Sequence, residues 1–213
     1  MPRGKFITLE GGEGAGKSTQ AKQLASFLRR QGIKVVLTRE LGGAPGAEKI
    51  RKIWLEEGED YWDKTAELLL VFAARREHLV KTVWPALKRG AWVISDRFMD
   101  STRAYQGMAA GAEVKQIERL YREIAGDFEP DLTLLLDVPV AVSMARVRKR
   151  GGWNDRYQLK NAAFHRKLRN VYLALAKKYK RRFAVIDAGQ ELEKVTKTIA
   201  AAVAKKLLKT RRF

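Results

Sequence analysis

Two periodicities take turns along this chain. Short runs of β-branched and aliphatic residues alternate with longer segments whose apolar residues recur every third or fourth position. The first pattern predicts strands at about 5–9, 34–38, 91–95, 132–137 and 183–187. The second predicts helices at about 17–31, 45–57, 63–89, 113–126, 139–150, 157–179 and 191–209. Strands separated by helices form a parallel sheet with both faces covered, so the expected class is α/β, three layers (α/β/α) around a five-stranded parallel sheet. No interdomain linker, internal repeat or low-complexity stretch interrupts the pattern, and one domain over residues 1–213 is expected. Ligands of such sheets bind beyond the carboxyl ends of the strands. The residues at those ends are polar: Glu10-Gly11, Arg39-Glu40, Asp96-Arg97 and Asp137.

The first of these turns has the strongest chemistry. Gly11, four residues, then Gly16-Lys17-Ser18 matches the spacing of a phosphate-cradling loop, after an apolar run and before a helical pattern. Glycines at Gly11, Gly12, Gly14 and Gly16, with Glu13 and Ala15 between them, let the backbone N–H groups curl towards an anion. Lys17 would reach the β/γ-phosphates and the Ser18 hydroxyl would ligate Mg²⁺. The competing reading is a glycine-rich turn with an exposed lysine.

The later strand ends supply candidates with two readings each. Arg39 enters a Gly-rich turn and Arg51 follows on the next helix; a guanidinium there grips a phosphate or a base edge, or forms a surface ion pair with Glu40 or Glu48. Arg75 follows Val71 and Phe72 at helical spacing, which suits either a planar base or plain core. Asp96 can hold the water shell of Mg²⁺, and Arg97 beside it can neutralise phosphoryl oxygens. Tyr105 and Gln106 line a sugar or base pocket, or pack and cap. Arg146, Arg148 and Arg150 run into Gly151-Gly152, either a mobile flap that delivers an arginine to a phosphoryl group or a charged helix end. No His/Asp/Glu cluster surrounds His78 or His165 to suggest a metal site.

Composition and charge narrow the picture further. With no cysteine, the chain has no disulfide, thiolate metal site or cysteine nucleophile. No run of about 18 apolar residues suggests a membrane span. The chain passes from Met1-Pro-Arg-Gly-Lys5 straight into the first strand, so a cytoplasmic protein is expected. Its 43 Lys+Arg against 24 Asp+Glu give a net charge of +19, which favours anionic partners without choosing among nucleotides, nucleic acids and acidic surfaces. The stretch from Arg146 to Arg182 is densely basic, with Asp155 its only acid.

Taken together the motifs resemble bacterial thymidylate kinase. The likeness rests on the phosphate loop with Glu13, Thr38-Arg39-Glu40-x-Gly42-Gly43, Glu48 to Arg51, Ala73-Ala74-Arg75, Asp96-Arg97-Phe98, Ser101 to Gly107, Pro130 to Asp137, and Asp155-Arg156. It implies a P-loop NTPase fold of the nucleoside monophosphate kinase kind, with a lid at about 146–156. It also implies transfer of the ATP γ-phosphoryl to dTMP with Mg²⁺. Residues 11–18 would hold the ATP phosphates, with Glu13 near the sugar 3′-hydroxyl or the metal. Arg39, Arg51 and Arg97 would hold the dTMP phosphate, Arg75 and Thr102 would face thymine, and Tyr105 and Gln106 would close the pocket. Gly14 stands where one subclass has arginine, which points to the subclass with lid arginines and to Arg150 as the catalytic one. The family forms dimers through helices flanking the sheet, so a homodimer is implied.

Three positions depart from the family pattern. Leu41 replaces a proline after Arg39-Glu40, Val71 stands where a stacking phenylalanine is usual with Phe72 one place along, and Gln158 replaces a glutamate after Asp155-Arg156. Another nucleoside monophosphate kinase remains an alternative. A basic nucleic-acid-binding P-loop protein is a further one, but it leaves the substrate-side motifs without a purpose, so nucleic acid is not the expected partner.

Overall fold

The computed structural model describes residues 3–56, 61–109, 111, 113–151, 157 and 160–208. Five parallel strands, β1 (Phe6–Glu10), β2 (Val35–Arg39), β3 (Trp92–Asp96), β4 (Leu132–Asp137) and β5 (Phe183–Asp187), lie in the order β2-β3-β1-β4-β5. β1 is central and buried along its whole length, because helices cover both faces. Alternate residues serve opposite cores. Ile7 and Leu9 join Leu132, Leu134 and Leu136 against α1 (Lys17–Arg30) and the last helix, α9 (Leu192–Leu207). Phe6 and Val93 face the other way, towards Phe72, Leu79 and Phe98. Between the cores, the Thr8 and Thr133 hydroxyls satisfy each other at 3.0 Å.

The first three strands end one residue beyond the expected positions, so Glu10, Arg39 and Asp96 are strand residues. The ladder carries on past their tips: Glu40 N–H donates to the Asp96 carbonyl and Arg97 N–H to that of Leu9, both at 3.0 Å. Backbone pairing thus fixes where the polar side chains emerge.

The helices between are α2 (Pro45–Glu56), α3 (Lys64–His78), α4 (Trp84–Lys88), α5 (Met99–Thr102), α6 (Val114–Ala125), α7 (Val140–Arg150) and α8 (Ala162–Lys178). The single helix expected over 63–89 is interrupted: a π-helical turn, Leu79–Val83, separates α3 from α4. Pro85 explains this locally, since it has no N–H to donate back and its ring crowds the preceding turn; the Trp84 N–H reaches Leu79 five residues back. The polar motif after β3 also folds as helix, α5 followed by a π-helical stretch over Arg103–Ala109. The helix expected from 157 begins at Ala162, where the Asn161 side chain accepts the Phe164 N–H at 3.0 Å. Among the described residues, no helix is long and apolar enough to cross a membrane.

Candidate active site

The β1–α1 turn has the backbone a phosphate cradle requires. Gly11, Gly14 and Gly16 take φ of 139°, 70° and 86°. A Cβ on Gly14 would lie 2.4 Å from the Ser143 carbonyl oxygen, so the loop fits tightly against α7. Gly16 caps α1 without a side chain, and no acid occupies the first turn, so the positive helix end faces the loop. Lys17 Nζ donates to the carbonyls of Gly11 at 3.1 Å and Gly12 at 2.9 Å. Burial, with Arg97 next, draws the Lys17 pKa below its ordinary value against the pull of Glu13, Asp96 and Glu10.

Beside the lysine, the Ser18 hydroxyl donates to Asp96 Oδ2. Two hard oxygens from different elements meet there, a donor set that suits Mg²⁺, which takes oxygen ligands and keeps several waters. Among the described residues no group of three or more His, Cys, Asp or Glu could hold a metal ion. An ion at Ser18 and Asp96 would therefore draw its remaining ligands from phosphate and water.

Arg97 is the one non-glycine described with positive φ, at 71°. Its guanidinium donates to the Gly11 carbonyl (3.1 Å), Ser101 Oγ (3.2 Å), Tyr105 OH (3.1 Å) and Glu13, and lies 4.9 Å from the Tyr105 ring centroid. Burial opposes ionisation of Glu13, but Arg97, Lys17 and the Tyr105 hydroxyl outweigh it and bring its pKa down to about 2. Glu10 sits one layer deeper. It accepts the Phe98 N–H at 2.8 Å and the Ser101 hydroxyl at 2.6 Å, and burial together with Asp100 pushes it up to about 8.

A second arginine is held as firmly on α3. Arg75 is only 2% exposed; its Nε donates to Glu40 Oε2 at 2.8 Å and its Nη2 to Thr102 Oγ1 at 3.0 Å. Phe72 and Phe98 flank the guanidinium at 5.4 and 5.2 Å. His78 bonds the other Glu40 oxygen at 2.9 Å and Thr38 at 2.7 Å, a buried structural role. Arg51 donates to the Leu41 carbonyl at 2.8 Å, and the Glu40–Leu41 peptide is cis. Arg39, 55% exposed in its side chain, pairs with Glu48 at 3.0 Å, the surface ion pair that one of its two readings expects.

These groups open onto one cavity of about 340 Å³. Of the candidates, Glu13, Gly14, Gly16, Lys17, Ser18, Arg39, Arg51, Arg75, Asp96, Arg97, Thr102, Tyr105, Gln106 and Arg150 all line it. Gly11, Gly12 and Ala15 do not: their side of the loop turns away, the first two towards a void of about 20 Å³ that also receives Asp137 and His165. Asp137 is paired instead with Arg169 at 2.6 and 2.8 Å. Among the flap arginines, Arg150 reaches the cavity, whereas Arg146 donates to the Ala188 carbonyl at 2.8 Å. Gly152, Asp155, Arg156 and Gln158 lie outside the described residues.

Phe72 does not take over at the cavity wall. Val71 lines it, while the Phe72 ring is buried in the core behind Arg75. Five contributors had no sequence signal of their own. Glu10 and Glu40 read as strand-end polar residues, but nothing along the chain marks Glu40 as the support of Arg75 or Glu10 as the acceptor of the Ser101 hydroxyl. Trp54, on α2, lines the cavity with Tyr157. Tyr157 donates to Glu67 Oε1 at 2.9 Å, the same oxygen that accepts from Gln106 Nε2 at 2.9 Å.

Comparison with known proteins gives a consistent result. The family model described as Thymidylate kinase matches residues 9–199. A thymidylate kinase of Chromohalobacter salexigens is 49% identical over 208 residues, covering 97% of this chain and 98% of that protein. One from Pseudomonas fluorescens is 50% identical over 198 residues, covering 93% and 94%. The crystal structure of thymidylate kinase from Ehrlichia chaffeensis superposes with a TM-score of 0.77 at 33% identity, covering 95% of this chain and 100% of the other.

Proposed function

The chain belongs to the thymidylate kinase family, and from that premise we propose that it transfers the γ-phosphoryl of ATP to dTMP, forming dTDP and ADP for dTTP synthesis. One observation carries the reading: the phosphate-loop lysine shares a single cavity with Arg97, Arg75, Thr102 and Gln106, which come from three other segments. A cavity lined by both cationic and aromatic side chains suits a nucleotide.

In this reading residues 11–18 hold the ATP phosphates. Arg39, Arg51 and Arg97 hold the dTMP phosphate, Arg75 and Thr102 face thymine, Tyr105 and Gln106 close the sugar and base pocket, and Glu13 meets the sugar hydroxyl or the metal. Ser18 and Asp96 would hold Mg²⁺, which supplies charge neutralisation on the transferring phosphates. The chain's own contribution is positioning and charge. Lys17 and Arg97 bring the two anions together, an oxygen of the dTMP phosphate bonds to the γ-phosphorus, and the bond to the bridging oxygen of ADP breaks. The acceptor oxygen is already anionic, so no proton has to be removed first. Arg150, closing with a lid at about 146–156, adds charge to the transition state. The same reading takes residues 1–213 as one cytoplasmic domain that pairs as a homodimer. Leu69 on α3, 51% exposed, is compatible with such a seam.

A coupled assay with dTMP, dUMP, dCMP, dGMP and dAMP at saturating Mg-ATP tests the substrate. The expected result is a clear preference for dTMP. Preference for any other monophosphate replaces the substrate, and no turnover with any of them removes the kinase reading.

A further inference from the structure

The wall of the cavity away from Lys17 has no aromatic from α3. Val71, four residues before Arg75, presents an aliphatic side chain there, and Phe72 at the next position is turned into the core behind the Arg75 guanidinium. Trp54, near the end of α2, lines the cavity instead. Its ring is 7% exposed and belongs to the same apolar cluster as Leu41, Val71, Tyr105 and Tyr157.

We propose that the Trp54 indole is the stacking platform for the substrate's pyrimidine, so that the base is gripped from α2 where α3 carries only Val71. The proposal rests on the dTMP reading above and deepens it. Three features support it. A planar base needs one broad apolar face and hydrogen-bonding groups at its edge; Arg75 lines the same cavity as a donor, and Gln106, whose Nε2 hydrogens go to Glu67 and the Tyr157 hydroxyl, offers its carbonyl oxygen as an acceptor. The indole is braced, because the Tyr157 ring lies 6.1 Å away at 37° and is itself tied to Glu67 by its hydroxyl. A platform held this way loses little freedom on binding. The sizes are also complementary: a large ring on α2 goes with a small side chain on α3, as close packing across facing helices requires.

The complementarity makes the test sharp. Replacing Trp54→Leu is expected to raise the KM for dTMP about tenfold or more and to leave the KM for ATP within about twofold, the loss expected from removing a base–aromatic stack. Trp54→Phe keeps a ring and is expected to stay within about threefold of the native KM. Val71→Phe alone crowds the indole and weakens dTMP binding, whereas the double variant Trp54→Leu, Val71→Phe moves the ring to α3 and regains most of the loss. An independent readout is intrinsic fluorescence. Stacking on an indole quenches it, so dTMP titrated into the native enzyme without ATP is expected to lower emission, and the effect should vanish in Trp54→Phe. Should Trp54→Leu fold poorly, the native titration and Trp54→Phe still decide. An unchanged KM for dTMP in Trp54→Leu, or a quench that survives Trp54→Phe, overturns the stacking role while dTMP turnover stands. A native enzyme that turns over other monophosphates and ignores dTMP overturns the substrate reading first, and the ligand named here with it.

Discussion

Arg97 and Arg75 use the same chemistry to opposite ends. Both are guanidiniums braced by a carboxylate, the partly buried Arg97 by Glu13 and the buried Arg75 by Glu40, so neither loses much side-chain freedom when an anion or a base edge arrives. Arg97 spreads its donors over a carbonyl, hydroxyls and a carboxylate, a fan that a lysine cannot reproduce. Arg97→Lys is therefore expected to lower kcat about as far as Arg97→Ala, by roughly 10²–10³; steady-state kinetics at saturating ATP and dTMP check this, and near-native turnover in either variant removes Arg97 from the mechanism. Glu10 carries a pH signature. Pushed up to about 8 in the folded protein from the ordinary 4.5 of a free glutamate, it keeps a proton that the unfolded chain gives up. The penalty is absent below about 4.5 and grows as pH rises towards 8. Urea midpoints should fall between pH 5 and 8 in the native protein and fall less in Glu10→Gln, which keeps a neutral group among Phe98, Ser101, Tyr172, Asp100 and Arg97. Glu13 has the opposite sign: its folded pKa of about 2 contributes stability above about 4.5 that is lost as pH falls through 2.

At the scale of elements, the strand tips and the helix ends divide the work. Pairing of β1 with β3 brings Leu9 opposite Asp96, and that register sets the Ser18 hydroxyl of α1 against the Asp96 carboxylate. α7 ends in a run of arginines whose last member, Arg150, reaches the cavity and helps to hold Glu13 ionised. Arg150→Ala is expected to reduce kcat by at least about 10² while dTMP affinity, measured by calorimetry, changes little, because the charge matters most in the transition state. An equal loss in affinity would make it a binding residue. Tyr157 links the segment after α7 to the wall opposite: its hydroxyl shares Glu67 with Gln106. Removing that hydroxyl in Tyr157→Phe should raise the KM for dTMP several-fold, as the loss of about 1 kcal/mol with one hydrogen bond implies, with the KM for ATP unchanged. An unaltered KM would show that Gln106 keeps its place without help.

For the molecule as a whole, the five-stranded parallel sheet follows from alternating period-two and period-3.6 segments, and its strands lie within a residue of where the pattern sets them. The break at Leu79–Val83 was hidden because the apolar spacing runs through it; only Pro85 hinted at it. If the chain pairs as the proposed homodimer, sedimentation at micromolar concentration is expected to give twice the chain mass. A monomer that turns over normally would show that pairing is not needed for activity.

What could be known from the order of residues was local. Glycine spacing, the lysine and hydroxyl after it, and polar residues at strand ends are consequences of backbone geometry within a few positions; they pointed to the phosphate loop and raised Arg39, Asp96 and Arg97 as candidates, while helical spacing left Arg51 and Arg75 with two readings and only the resemblance singled out Arg150. What the tertiary structure alone decided was mutual orientation: that Glu40 braces Arg75, that Phe72 turns inward while Trp54 faces the cavity, and that Arg146 is tied to the Ala188 carbonyl while Arg150 lines the cavity. A helical position one place along points about 100° away, and its partner lies tens of residues distant in the chain, so the choice between core and cavity is made only when the helices pack.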